Sequence, residues 1–252
     1  MNLKILLQIV ILFLISDCFA TEGERSIRVG IPLGNPPWLY KDKDTGKVVG
    51  REFETQKIIH GMIGLTPEIV PFENIVRVAA EMIKGTIDAG PLIQSDRIEV
   101  MPMPESLSCT QYPYGGSDAY LYTLDDSDIP FTEDIHDLSH LNMAFSRLVD
   151  IHEYFPTFSR KQITTHKNPD EALKMLVAGR SQLILSTPDT TEHWRNERGI
   201  KLKPVYPFHS FQVHMCFSNS SLGEKKAQRY AQQLDQQLSK FPVPINKMPT
   251  IK

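Results

Sequence analysis

Apolar and polar positions along the chain switch repeatedly between two periods, and each switch marks an element. Residues 26–32 (SIRVGIP) alternate and read as a strand. Residues 36–40 (PPWLY) follow as a stiff, extended loop, because proline fixes its own φ and restricts the residue before it. A turn over 42–46 closes on Gly46, and residues 48–49 form a short strand. A helix over 52–62 then carries an apolar side made of Phe53, Ile58, Ile59 and Met62. A further strand spans 66–71. The clearest helix is 73–84, where Ile75, Val78, Ala79 and Met82 fall at i, i+3, i+4 and i+7, and Gly85 stops it. Residues 86–93 make another strand, interrupted at Gly90-Pro91. Strands alternating with helices in this way predict an α/β lobe with a mainly parallel sheet.

The rhythm repeats in the second half. Strands are expected at 120–122, 141–145, 183–185 and 213–217. A helix over 168–178 has a clear start, with Asn168 as cap, Pro169 in the first turn and Glu171 three residues after the cap; Gly179 ends it. A short helix over 190–197 and a Gln-rich amphipathic helix over 222–238 complete the set, and the proline-containing tail from 241 reads as irregular.

The N-terminus has a different character. Lys4 opens an apolar run over 5–15 broken only by Gln8, and Cys18-Phe19-Ala20 puts small residues where a signal peptidase reads. Residues 1–20 are therefore expected to be a cleaved secretory signal peptide, too short in its apolar part to span a bilayer well. Asp17 stands before Cys18 where lipoprotein signals carry Gly, Ala or Ser, so export in soluble form is expected. A hydrophobic content of 41% supports an ordinary globular core. The net charge of −3, with no clustered basic face, excludes a nucleic-acid binder. Cys109 and Cys216 either pair in an oxidising compartment or stay as two buried thiols, and the sequence does not choose. His136 and His140 stand four apart, but no Cys or Glu cluster accompanies them, so no metal and no cofactor is expected.

Several stretches resemble the bacterial extracellular solute-binding proteins of family 3, the amino-acid-binding type. They are 27–50 (IRVGIPLGNPPWLYKDKDTGKVVG), 73–89 (ENIVRVAAEMIKGTIDA), 95–97 (SDR), 135–145 (IHDLSHLNMAF) and 171–185 (EALKMLVAGRSQLIL). Their order and spacing cover nearly the whole exported chain. The resemblance implies a periplasmic-binding fold of type 2: two α/β lobes, each with a mainly parallel sheet flanked by helices, joined by crossings near 108–116 and 214–218. Lobe 1 would comprise 21–112 and 215–252, and lobe 2 residues 113–214. Cys109 and Cys216 both fall near these crossings. A ligand would sit between the lobes and be buried by hinge closure.

The same resemblance assigns Arg97 to the ligand carboxylate, a role suited to the planar donor fork of a guanidinium. Trp38 would stack on the ligand, with Asn35 and Tyr40 beside it. Gly90 stands where the family carries a small polar residue, and Leu92 brings bulk to the next such place. Ser146 and Arg147 fall at the turn after a lobe 2 strand, where backbone N–H groups ordinarily bind an anion. Ser186 occupies the place of the aspartate that holds a ligand's ammonium, unless Asp189 serves. The expectation is a periplasmic capture protein, a monomer, for an amino acid, a modified amino acid or an organic acid, with the acidic group essential and the ammonium not. Its partner would be a membrane permease or a sensor. Two other functions remain open: a degenerate scaffold for a protein partner, since Leu92 and Leu148 are bulky, and a dehydratase using Glu52 or Glu73 as general acid.

Overall fold

In the computed structural model, residues 25–34, 36–42, 44–95, 104–146 and 158–241 are described. The signal-like segment 1–20 and the tail from 242 lie outside them. Strand β1 (Arg25–Pro32) runs parallel to β4 (Leu65–Phe72) along its whole length, Arg25 opposite Leu65 and Pro32 opposite Phe72. Between them come a two-strand ribbon, β2 (Tyr40–Lys41) with β3 (Val48–Val49), and helix α1 (Glu52–Gly61). Helix α2 (Ile75–Lys84) follows, then β5 (Ala89–Ser95). The boundaries of α2 are chemical. Asn74 Oδ1 accepts the Arg77 N–H at 2.9 Å, and Gly85 leaves the helix with φ 77°. Its stripe of Ile75, Val78, Ala79 and Met82 is buried, as its spacing requires.

Helix α1 departs from its expected face. Ile58 is 51% exposed, while Glu52, Thr55, Gln56 and His60 are buried with Ile59. Spacing of apolar residues reports burial only when the covered surface is apolar, and α1 buries a polar row at i, i+4 and i+8.

The second group of strands is β6 (Leu107–Cys109), β7 (Gly115–Leu124), β8 (Met143–Ser146), β9 (Ile163–His166) and β10 (Leu183–Ser186). Helix α3 (Pro169–Val177) precedes β10, and α4 (Pro188–Arg198) follows it. The two helices are tied together. Trp194 Nε1 donates to Asp170 Oδ1 at 3.1 Å, and Arg198 Nη2 lies 2.7 Å from both oxygens of the same carboxylate. The chain ends in the long β11 (Leu202–Ser218), a short α5 (Asn219–Leu222) and α6 (Glu224–Leu238).

One hydrogen-bonded path runs β4-β1-β5-β11-β7-β10-β8-β9, with β6 on β11. Strand β11 is far longer than its expected span of 213–217. Pro204 and Pro207 lack N–H groups and break the alternating signal, but the β7–β11 ladder shifts register at both and continues from Leu202 to Val213. Over Phe211, Gln212 and Val213 the strand pairs with β7 on one side and β5 on the other. There it passes from one core to another. On one side of this passage, Ile27, Val29 and Ile31 pack with Phe217, Tyr230 and Leu234, and the α2 stripe packs with Leu92. On the other, Leu121, Met143, Phe145 and Phe208 form one cluster, and Leu173, Leu176, Ile184 and Trp194 form the next. Two lobes follow from this division, each a sheet between two apolar layers. Cys109 and Cys216 are directly opposed on β6 and β11, with Cα atoms 4.0 Å apart, and are joined as a disulfide in the first lobe.

Candidate functional site

The loop after β1 is clamped onto the start of α1. The first N–H groups of a helix have no partner within it. Here Arg51 N–H donates to the Pro37 carbonyl at 3.1 Å and Glu52 N–H to the Trp38 carbonyl at 3.0 Å. Gly50 makes this approach possible: its φ is 144°, and a Cβ there would lie 1.8 Å from the Trp38 carbonyl oxygen. The Pro36-Pro37 bond within this loop is cis. Leu39 goes into the first lobe's core, and the residues on either side of it diverge. Trp38 turns to a cavity between the lobes, Tyr40 to the outer edge.

That cavity has a volume of ≈ 120 Å³, small for a ligand site, and it opens to solvent. The first lobe contributes Ile31, Trp38, Glu52, Ile75, Pro91 and Ile93. The crossing strands contribute Tyr114, Gly115, Gly116, Ser117, Phe211 and Val213, and Thr187 comes from the second lobe. Alternation on β5 decides which of its residues arrive. Pro91 and Ile93 face the cavity, whereas Leu92 packs in the α2 cluster. A Cβ at Gly90 would meet Val78 at 2.6 Å, so Gly90 is turned toward α2. Pro91 is tolerated because β1 pairs with β5 only through Val29 and Ala89, leaving no ladder bond for its missing N–H on that side.

Glu52 is the buried acid of the wall. Its Oε1 accepts from Gln56 Nε2 at 2.6 Å and from Tyr114 Oη at 3.2 Å. Burial raises its pKa above the ordinary glutamate value, outweighing those two bonds, which act to lower it. The Tyr114 phenol is pushed well up by its own burial and by the neighbouring carboxyl. Gln56 is fully buried, and its Oε1 has no protein partner.

The other expected site residues distribute as follows. Asn35, Arg97 and Arg147 lie outside the described residues. Ser146 ends β8 opposite His166, and its side chain lies outside the described ones. Ser186 pairs with Tyr120 across β10 and β7, its Oγ buried without a protein partner; Thr187, not Ser186, lines the cavity. Tyr40 packs its ring edge-on to His193, with centroids 5.0 Å apart. Near it, Thr190 Oγ1 donates to the Pro36 carbonyl at 2.8 Å, so the proline loop of one lobe is held against α4 of the other. Glu73 is exposed and takes no part in the wall. Among the described residues, no three His, Cys, Asp or Glu side chains gather as a metal site requires. No helix among them is long and apolar enough to cross a membrane.

Sequence reasoning reached Trp38 but passed over Tyr114, Ser117, Thr187 and Phe211, which line the same cavity. The Gly115-Gly116 pair was the available signal. A Cβ on Gly116 would meet the Phe211 carbonyl at 2.8 Å, so two crossing strands approach closely there.

No protein-family model matches the chain, and no curated protein matches it. Solved structures do. The arginine-bound form of truncated ArgBP from T. maritima superposes with a TM-score of 0.65 at 15% identity, covering 85% of this chain and 95% of that one. A histidine kinase sensor domain with similarity to periplasmic binding proteins gives 0.66 at 20% identity, covering 86% and 90%. The ancestral amino-acid-binding protein AncCDT-1, a precursor of cyclohexadienyl dehydratase, gives 0.64 at 16%, covering 85% and 90%. At these identities the likeness establishes the architecture, and the chain has the two-lobed periplasmic-binding fold of type 2.

Proposed function

We propose that the chain is an exported capture protein that holds one small, carboxylate-bearing molecule between its lobes in the periplasm and presents it to a membrane importer or a sensor. The observation that carries this reading is the cavity itself, walled from both lobes and from the two strands that join them. The proposed mature chain runs from residue 21, with lobe 1 formed by 21–112 and 215–252 and lobe 2 by 113–214. Arg97, eight residues beyond the start of β5, is the proposed grip on the carboxylate. The arginine-bound ArgBP and the kinase sensor domain among the structural neighbours fit capture and sensing respectively. Leu92 points into the first lobe's core and leaves the cavity open, which argues against a scaffold that serves only a protein partner.

The test is a thermal-unfolding screen of the mature protein, freed of carried-over ligand, against amino acids, organic acids, amines and short peptides. A ligand at 100 times its dissociation constant stabilises the folded state by about 2.7 kcal/mol, which raises the midpoint visibly. A carboxylate is expected to raise it in the wild type and not in Arg97→Ala. A panel that leaves the midpoint unchanged contradicts capture.

A second reading is favoured by one feature. A buried carboxyl with a raised pKa on the cavity wall has the property a general acid needs, and Glu52 has it. Turnover of prephenate-like acids, lost in Glu52→Gln, would establish a dehydratase in place of a binder.

A further inference from the structure

The resemblance to family 3 puts Ser186 in the place of the aspartate that holds a ligand's ammonium, and neither Ser186 nor the nearby Asp189 is among the residues that line the cavity. The structure puts a carboxyl into the same cavity from the opposite lobe. Glu52 is 7% exposed and held by α1, whose first turn is clamped to the Trp38 loop. Both of its internal hydrogen bonds, from Gln56 and from Tyr114, end on Oε1. Oε2 takes neither of them, and Glu52 lines the cavity. Among the described residues of that wall, Glu52 and the Tyr114 phenol are the ionisable groups, and no Lys, Arg or His is present.

The rest of the wall is apolar and aromatic. Trp38, Tyr114 and Phe211 all border the cavity, together with Ile31, Ile93 and Val213. Aromatic faces attract cations through the ring quadrupole, and the attraction grows when water is excluded. A cation beside a buried carboxyl stabilises its ionised form.

We propose that the cavity receives a protonated amine carried on an apolar body, with Glu52 Oε2 as its counter-ion and Trp38, Tyr114 and Phe211 around it. This rests on the cavity being a ligand site, as proposed above, and adds a protonated amine and an apolar body to the carboxylate-bearing ligand proposed there. The amine's charge meets Glu52 from the first lobe, so the absence of an aspartate at Ser186 does not remove the cation's partner.

The test is calorimetric titration of the mature protein with three probes that share one apolar body: phenethylamine, 2-phenylethanol and 3-phenylpropionate. The amine is expected to bind about tenfold or more tightly than the alcohol. Glu52→Gln, which keeps the shape of the side chain, is expected to erase that preference, while Tyr114→Phe keeps it. An alcohol that binds as tightly as the amine overturns the proposal, as does an amine preference that survives Glu52→Gln. If Glu52→Gln does not fold, the ratio in the wild type decides alone. Tight binding of 3-phenylpropionate that depends on Arg97, with no amine preference, leaves the capture reading standing and overturns this one. Failure of all three probes together with a flat thermal screen overturns both.

Discussion

Glu52, Gln56 and His60 form a buried polar row along α1, and it has its own energetic signature. Gln56 joins its neighbours on both sides, donating to Glu52 through its side chain and lying 3.0 Å through its carbonyl from His60 Nδ1. The imidazole is fully buried, and burial lowers its pKa from the ordinary histidine value of 6.5 to about 4. The folded state therefore holds His60 neutral, with Nδ1–H donating to the Gln56 carbonyl. Between pH 6.5 and about 4 the unfolded chain binds the proton and the folded chain does not, so stability falls as pH falls through that window. The full effect corresponds to about 3 kcal/mol. Glu52 acts with the opposite sign. Its raised pKa lets the folded state keep a proton above the ordinary glutamate range, so its contribution diminishes as pH rises through that interval. His60→Leu is expected to flatten the loss of stability between pH 6.5 and 4, read from denaturant midpoints. An unchanged slope would show that His60 is already charged, or open to water, in the folded protein.

At the scale of elements, α2 shows how a local signal sets part of the site. Its cap Asn74 fixes where the helix begins, and the next residue, Ile75, reaches the cavity wall. Asn74→Ala is expected to cost about 1 kcal/mol, measured as a lowered denaturant midpoint at constant slope. No change would mean that water or a neighbour satisfies the Arg77 N–H equally well. Helix α2 was legible from its stripe and its stop, and α3 from its cap and its stop. Strand β11 was legible only at its C-terminal end, since Pro204 and Pro207 hide a strand whose bulges are set by its partner β7. Strand β9 carries Thr164-Thr165 in a four-residue run and gives too little alternation to read. The site was less legible than the fold. Trp38 stands out beside two prolines, whereas Tyr114 and Glu52 become neighbours only when α1 packs against the crossing segment. Which of Gly90, Pro91, Leu92 and Ile93 meets the ligand depends on the phase of β5, and a shift of one residue reverses the answer.

The whole molecule is organised around two long strands. β7 and β11 pair across the passage between the lobes, and β11 alone continues into the first lobe's sheet. The Cys109–Cys216 disulfide lies just past that passage and ties β6 to the same strand. The lobes also touch through Thr190 and Pro36 and through Tyr40 and His193. A ligand enclosed there would contact the inner wall and both lobes together, which is how a small molecule biases a hinge. Ser117, on β7, lies at the centre of this arrangement and lines the cavity. The most direct test is a calorimetric titration of the strongest ligand from the thermal screen into the wild type and into Ser117→Phe, which fills the cavity. One molecule bound per wild-type chain, with binding abolished in a still-folded Ser117→Phe, is the predicted result. Undiminished binding to Ser117→Phe would place the ligand elsewhere and contradict the account.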